Sequence, residues 1–280
     1  MIRLSAGAWM AEVLPELGGA VGRLDWRGEP VFRPTPVGAT SPLDTGCFPL
    51  VPFANRIDQG RFRWVGRDIV LEPTPGFEPH ALHGTGWRTP WTVIGADSAS
   101  VRLGLSVAAG DWPWAWRAEQ VIALDETGLS VSLSLTNEDT APMPGGLGLH
   151  PYLATGPGDR VRLEAASVWV GETLIPDRRV AVSDLVDWRD GVARASVPFV
   201  DNAYDGWTGV AEVIGADRTV QMTSPVSRLH VYAPEGEGFV CLEPVTHRPN
   251  AVNAPESESA GLATLAPAAT MAMSMRVTAA

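Results

Sequence analysis

The chain has 280 residues, enough for one large β domain or two small ones with a substantial buried core. Its net charge of -11 offers neither nucleic acid nor an anionic membrane the positive footprint that each requires. All 21 basic residues are arginine, which excludes Schiff-base chemistry, a lysine general base and a lysine-bearing phosphate loop. The opening residues, Met1 to Gly7, lack the apolar stretch of a secretory signal. No run of about 18 apolar residues follows, so a cytoplasmic protein without a membrane span is expected. The 29 glycines and 24 prolines punctuate the chain too densely for long helices. Phe62 to Leu71 reads as a hairpin turning near Gly66. Val101 to Val107 alternates apolar and small or polar residues, and residues 119–124 continue as a strand. From Leu129 to Leu135 every odd residue is apolar and every even one is serine, the pattern of a strand with one wet face. Further strands are predicted at 161–165, 210–214, 219–223, 228–232, 238–243 and 271–277, with a polar surface loop from Asn253 to Ala260. No helix longer than two turns is predicted. Strands at this spacing form packed antiparallel sheets, an all-β sandwich in a single domain spanning 1–280.

Chemistry concentrates in five segments. His150 stands in Gly145-Gly146-Leu147-Gly148-Leu149-His150-Pro151-Tyr152, where glycines permit close backbone approach and the imidazole can exchange protons near neutrality. A rigid apolar run, Phe48 to Ala54, delivers Asn55 and Arg56. His83 precedes Gly84 and Gly86, while Asp201 and Asp205 flank an Asn-Ala-Tyr stretch. Glu243 ends an apolar strand and is followed by Pro244-Val245-Thr246-His247. Each has an ordinary structural explanation as a turn cap, a satisfied core histidine or half of an ion pair. Cys47 and Cys241 are far apart and outside any CxxC, so two buried reduced thiols are expected rather than a disulfide or metal site. The five histidines show no HExxH spacing, and the Gly145 to Gly148 stretch lacks the strand and helix context of a nucleotide loop.

In order and local sequence these segments resemble the aldose 1-epimerase (galactose mutarotase) family. The likeness runs from Pro15-Glu16-Leu17-Gly18-Gly19 through Asn55-Arg56-Ile57, Leu82-His83-Gly84, Asp111-Trp112-Pro113-Trp114 and His150-Pro151-Tyr152 to Glu243-Pro244-Val245-Thr246-His247 and Gly261 to Pro267. It implies the large antiparallel galactose mutarotase-like supersandwich with an open sugar cleft. It also implies that Glu243 takes the proton of the anomeric hydroxyl and His150 protonates the ring oxygen. Arg56 and His83 match positions that hold substrate, Asn55 is expected to help, and Asp201 is preferred to Asp205 for binding sugar hydroxyls. Tyr152 can orient substrate or pack beside His150. Trp114, one of eleven tryptophans, belongs either to a cleft wall covering a sugar's apolar face or to the core.

The chemistry needs an acid and a base on opposite sides of a hemiacetal, with no metal or cofactor. The expected partner is a small-molecule sugar, and the protein a monomer or homodimer. The resemblance also admits an epimerase of hexose 6-phosphates, for which Arg61, Arg63, Arg67 and Arg88 are phosphate candidates by residue type alone. A non-catalytic carbohydrate-binding protein on the same fold is another reading. Glycoside cleavage is disfavoured because it normally needs two carboxylates, and only Glu243 stands in a strong motif.

Overall fold

A computed structural model describes residues 1–255 and 260–280. Two large antiparallel sheets, of 11 and 9 strands among the described residues, lie face to face. The first runs in the order Ile2–Ala6, Trp9–Leu14, Ala20–Trp26, Cys47–Leu50, Gly148–Ala154, Phe239–Pro244, Arg228–Ala233, Val200–Asp205, Ser167–Val170 and Arg178–Val180. The second is centred on Trp116–Asp125, Gly128–Asn137 and Thr270–Ala279. Every helix among the described residues is a three-residue 3-10 turn, in keeping with the density of glycine and proline. None is long and apolar enough to cross a membrane.

The serine-alternating segment forms the strand Gly128–Asn137, with Leu129, Val131, Leu133 and Leu135 buried and Ser132 exposed. Each such side chain contributes roughly 1.5–3 kcal/mol on burial, which pins the strand's register to the core. The hairpin pairs Arg61–Trp64 with Arg67–Val70 and turns at Val65 and Gly66. The other predicted strands form within a few residues of their expected ends. The predicted loop at 253–260 falls partly on residues 256–259, which lie outside the described residues.

The central strands of the first sheet are buried on both faces, hence their unbroken apolar runs. One face, with Leu149, Leu153, Val240, Leu242, Leu229 and Val231, packs into the main core between the sheets. The opposite face carries a separate cluster including Phe48, Tyr152, Phe239, Cys241 and Val245. That second face holds the chemistry.

Candidate active site

Strand register builds the site. Gly148 pairs with Val245 and Tyr152 with Cys241, which sets His150 opposite Glu243. Glu243 pairs in turn with His230, and His150 with Phe48 on its other side. Phe48, His150, Glu243 and His230 therefore form one row across four strands. Because side chains two apart share a face, a second row of Tyr152, Cys241, Tyr232 and Asp201 runs beside it. From these rows His150, Glu243, His230, Tyr152, Tyr232 and Asp201 line a cavity of about 430 Å³, joined there by Arg33, Asn55, Arg56 and His83.

Glycine explains how the preceding segment fits. A Cβ on Gly146 would stand 2.0 Å from Cδ2 of His247. His247 is itself locked, accepting the Ala54 N–H at Nε2 (3.0 Å) and donating from Nδ1 to the Arg248 carbonyl (2.8 Å). Gly146, His247 and Ala54 thus clamp the strand of His150 to the loop that delivers Asn55. Asn55 and His83 both adopt left-handed backbone, at φ 57° and 60°, which non-glycine residues seldom do outside over-determined sites. They hold each other: the Asn55 N–H donates to His83 Nδ1 (2.9 Å), and the His83 N–H donates to the Asn55 carbonyl (3.0 Å).

These bonds assign protons. With Nδ1 accepting, neutral His83 carries its hydrogen on Nε2, ready to donate. His230 Nε2 lies 2.6 Å from Oδ1 of Asp201 and donates to it, leaving Nδ1 to accept from the Asn55 amide 3.3 Å away. Arg56 holds the other oxygen of Asp201 at 3.3 Å. Stacked between Phe48 (centroids 4.6 Å apart) and Tyr152 (4.8 Å), His150 places Nε2 3.2 Å from Oε1 of Glu243.

Electrostatics divide the carboxylates. Burial, reinforced by the negative charge of Asp201, pushes Glu243 well above the usual carboxylate range. Burial also disfavours charge on Asp201, but the hydrogen bond from His230 and the Arg56 guanidinium outweigh it and hold Asp201 low. Burial and the neighbouring His230 and Arg33 lower His150 to about 3. His150 Nδ1 and Glu243 Oε2 are buried without a hydrogen-bond partner, so an imidazolium would strand a donor. Burial and neighbouring cations likewise keep His83 neutral. Without substrate the pair favours neutral imidazole beside neutral carboxyl.

Of the residues singled out by sequence, Glu243, His150, Asn55, Arg56, His83, Asp201 and Tyr152 all line this cavity. Asp205 does not: it takes the Trp169 indole N–H (2.6 Å) and Arg228 (2.9 Å). Trp114 is a correction. It is 2 % exposed and packs on Trp112 (5.4 Å) in the main core, away from the cavity, where burying the whole indole gains more than covering one sugar face. Arg61, Arg63, Arg67 and Arg88 are also absent from the lining. His230, Arg33 and Tyr232 were missed. His230 and Tyr232 occupy alternate positions of a predicted strand whose intervening residues, Leu229 and Val231, are apolar, a signal that polar side chains face something other than the core.

His83, His150 and Glu243 each offer a ligand atom within 4.8 Å of the others. The Asn55 N–H occupies the lone pair of His83 Nδ1, however, and puts the ring's proton on Nε2. A hydrogen-bond donor then stands where a third ligand would be needed.

The fold and site define a class, a large β-sandwich with a buried histidine–glutamate pair and a fork of hydrogen-bonding side chains in one cleft. The family model described as aldose 1-epimerase matches residues 1–278, and the chain belongs to that family. It is similar to an uncharacterised Escherichia coli K12 protein, YphB, at 31 % identity over 270 residues, or 90 % of each chain. A solved structure of a candidate aldose 1-epimerase from Escherichia coli K12 superposes with a TM-score of 0.90 at 28 % identity, covering 99 % of this chain and 98 % of that one. A galactose mutarotase-like protein from Clostridium acetobutylicum shares the fold with a TM-score of 0.88 at 20 % identity, covering 99 % and 94 % of the two chains.

Proposed function

We propose that the protein is an aldose 1-epimerase, interconverting the α and β anomers of a free aldose by ring opening and reclosure. The observation that carries this reading is the His150–Glu243 pair, 3.2 Å apart across adjacent strands on the floor of the cleft. In the opening step ionised Glu243 takes the anomeric hydroxyl proton while protonated His150 gives its Nε2 proton to the ring oxygen. The C1–O bond to the ring breaks and C1 becomes a carbonyl. Rotation about C1–C2 presents the other carbonyl face. Neutral Glu243 then returns a proton to O1 as His150 recovers the one on the chain hydroxyl, and the ring closes with C1 inverted.

The pair holds one proton before and after opening, distributed differently. It is therefore electrically neutral overall at both stages, which limits the desolvation penalty of keeping it buried. His83, Arg56 and the Asp201 carboxylate supply donors and an acceptor for ring hydroxyls, and Asn55 and His230 hold Asp201 and His83 in place.

The test is anomer exchange followed by NMR or polarimetry across freshly dissolved aldoses and their 6-phosphates. Glu243→Gln and His150→Gln should each lower kcat by about 10²–10⁴ with a smaller effect on KM. The proposal fails if no sugar equilibrates faster than in buffer, or if both variants retain full activity.

A further inference from the structure

We infer that Arg33 forms an anion-binding subsite in the cleft, and that the preferred aldose carries a carboxylate on the ring carbon beside the ring oxygen, as in a hexuronic acid. The inference rests on the proposed roles of His150 and Glu243. The Arg56 guanidinium is matched by Asp201, the His150–Glu243 pair is neutral overall, and His83 is held neutral by burial. Arg33 lines the same cavity, yet no carboxylate among the described residues pairs with it. The cleft of a strongly acidic protein therefore keeps one unmatched positive charge.

Its placement is also fixed. Nη2 of Arg33 donates to the carbonyls of Leu43 and Thr45 (3.0 Å to the latter), which orients the guanidinium plane. That plane lies over the Tyr152 ring, 3.7 Å from its centroid, and 4.8 Å from that of Phe239. Nε is buried without a partner, and Nη1 has none among the described residues. A guanidinium held by two carbonyls and an aromatic face is preorganised for a planar oxyanion.

Strand order then gives the substituent. Arg33 joins the sheet through its backbone N–H to the Tyr152 carbonyl (2.8 Å), beside the strand Gly148–Ala154 that carries His150. Next come Phe239–Pro244 with Glu243, Arg228–Ala233 with His230 and Val200–Asp205 with Asp201. Across the cleft the order is Arg33, His150, Glu243, then the hydroxyl-binding Asp201 and Arg56. Around a pyranose it is C5 substituent, ring oxygen, C1 hydroxyl, then C2 and C3 hydroxyls. With His150 at the ring oxygen and Glu243 at O1, the C5 substituent faces Arg33. One cation matches a carboxylate, whereas a phosphate with a charge of about -1.5 to -2 exceeds it.

The experiment compares anomer exchange of a hexose, its uronic acid, the corresponding uronamide and the hexose 6-phosphate. The uronic acid should exceed the hexose and the uronamide in kcat/KM by about tenfold or more, consistent with one charge-assisted contact. In Arg33→Gln that ratio should collapse towards one, and Arg33→Lys should retain part of it. The uronamide comparison uses wild-type protein and stands even if a variant does not fold. Equal rates on acid and amide would overturn the subsite, and preference for the 6-phosphate would overturn the carboxylate assignment. If no sugar is turned over, calorimetric binding of the uronic acid against the uronamide to wild-type protein still reads the subsite separately. Tighter binding of the acid would sustain it, and equal binding would remove it.

Discussion

The inverted ionisation of His150 and Glu243, the proposed catalytic pair, makes the pH dependence of kcat/KM a sharp test. A histidine and a glutamate at their ordinary pKa values, about 6.5 and 4.3, would hold the active ionised pair only between those limits. Here burial lowers His150 to about 3 and raises Glu243 well above the carboxylate range. The pair then takes up its second proton only near pH 3 and gives up its single proton only above the ordinary glutamate range. Between those limits it holds the one proton that catalysis redistributes. The ionised arrangement is the minor one before substrate arrives. Because burial lowers His150 and raises Glu243, moving the proton from Glu243 to His150 costs free energy that contacts with the ring oxygen and anomeric hydroxyl must offset. Anomer exchange should be followed by NMR after rapid pH jumps, with tryptophan fluorescence reporting that the protein stays folded. The acid limb should lie near pH 3 rather than at 4.3 or above, and activity should persist through pH 6. Half-loss of kcat/KM on the acid side near pH 6.5 would refute the reasoning, because an ordinary histidine would then have to be neutral for catalysis.

His247, lowered to about 4 chiefly by burial, is neutral in the fold, whereas an unfolded histidine protonates below about pH 6.5. Its contribution is therefore intact above 6.5 and falls as pH drops towards 4, by roughly 2 kcal/mol at pH 5; because His150 and His83 are depressed in the same direction, urea unfolding should show an acid loss in both proteins, smaller by about that amount in His247→Gln. Gly146→Ala should disrupt the clamp between His150 and Asn55, since its Cβ would overlap the His247 ring at 2.0 Å, lowering both Tm and kcat. Trp114→Phe should cost about 0.5–3 kcal/mol of stability in the same unfolding assay and leave KM for the sugar unchanged, because that indole is core rather than cleft. Dialysis against a chelator should leave anomer exchange unaltered, and elemental analysis should find no stoichiometric metal, given the donor proton on His83 Nε2.

Legibility in the sequence followed how cleanly each segment alternates. The strand Gly128–Asn137 was readable because serine marks its wet face. The meander from Ile2 to Trp26 was not, because Trp9, Met10, Ala11, Val13 and Leu14 put apolar residues on both faces and hide the period of two. The candidate site was legible as motifs wherever a side chain had unusual neighbours, as with His150 among glycines and Glu243 before a proline. His230 sits between Leu229 and Val231 with nothing unusual beside it, and only pairing across to Glu243 and Asn202–Ala203 brings it to Asp201. Trp114 shows residue type outrunning position, since the core, one of its two readings, is where it lies. Its alternation with Trp112 and Trp116 was compatible with either a cleft wall or the core; all three indoles are buried, and the strand begins only at Trp116, beyond Pro113.

Register is the link between this fold and this chemistry. The two central strands expose one set of residues to the core and the other to the cleft, and neither face is solvent. A slip of one residue would put His150 and Glu243 among Leu149, Leu242 and Leu153, a buried ionisable pair without the aromatic stack or the outlet to substrate. The penalty for that error is large on both faces at once, since the leucines would also leave the core. Alignment of the proposed acid and base across the strands therefore needs no separate device: the same apolar burial that selects the sandwich places His150 beside Glu243. The loops carrying Asn55 and His83 have no such protection. They depend on their reciprocal hydrogen bonds and on the His247 clamp, so the half of the cleft built by Asn55 and His83 is where single substitutions should disturb geometry without disturbing the sheets.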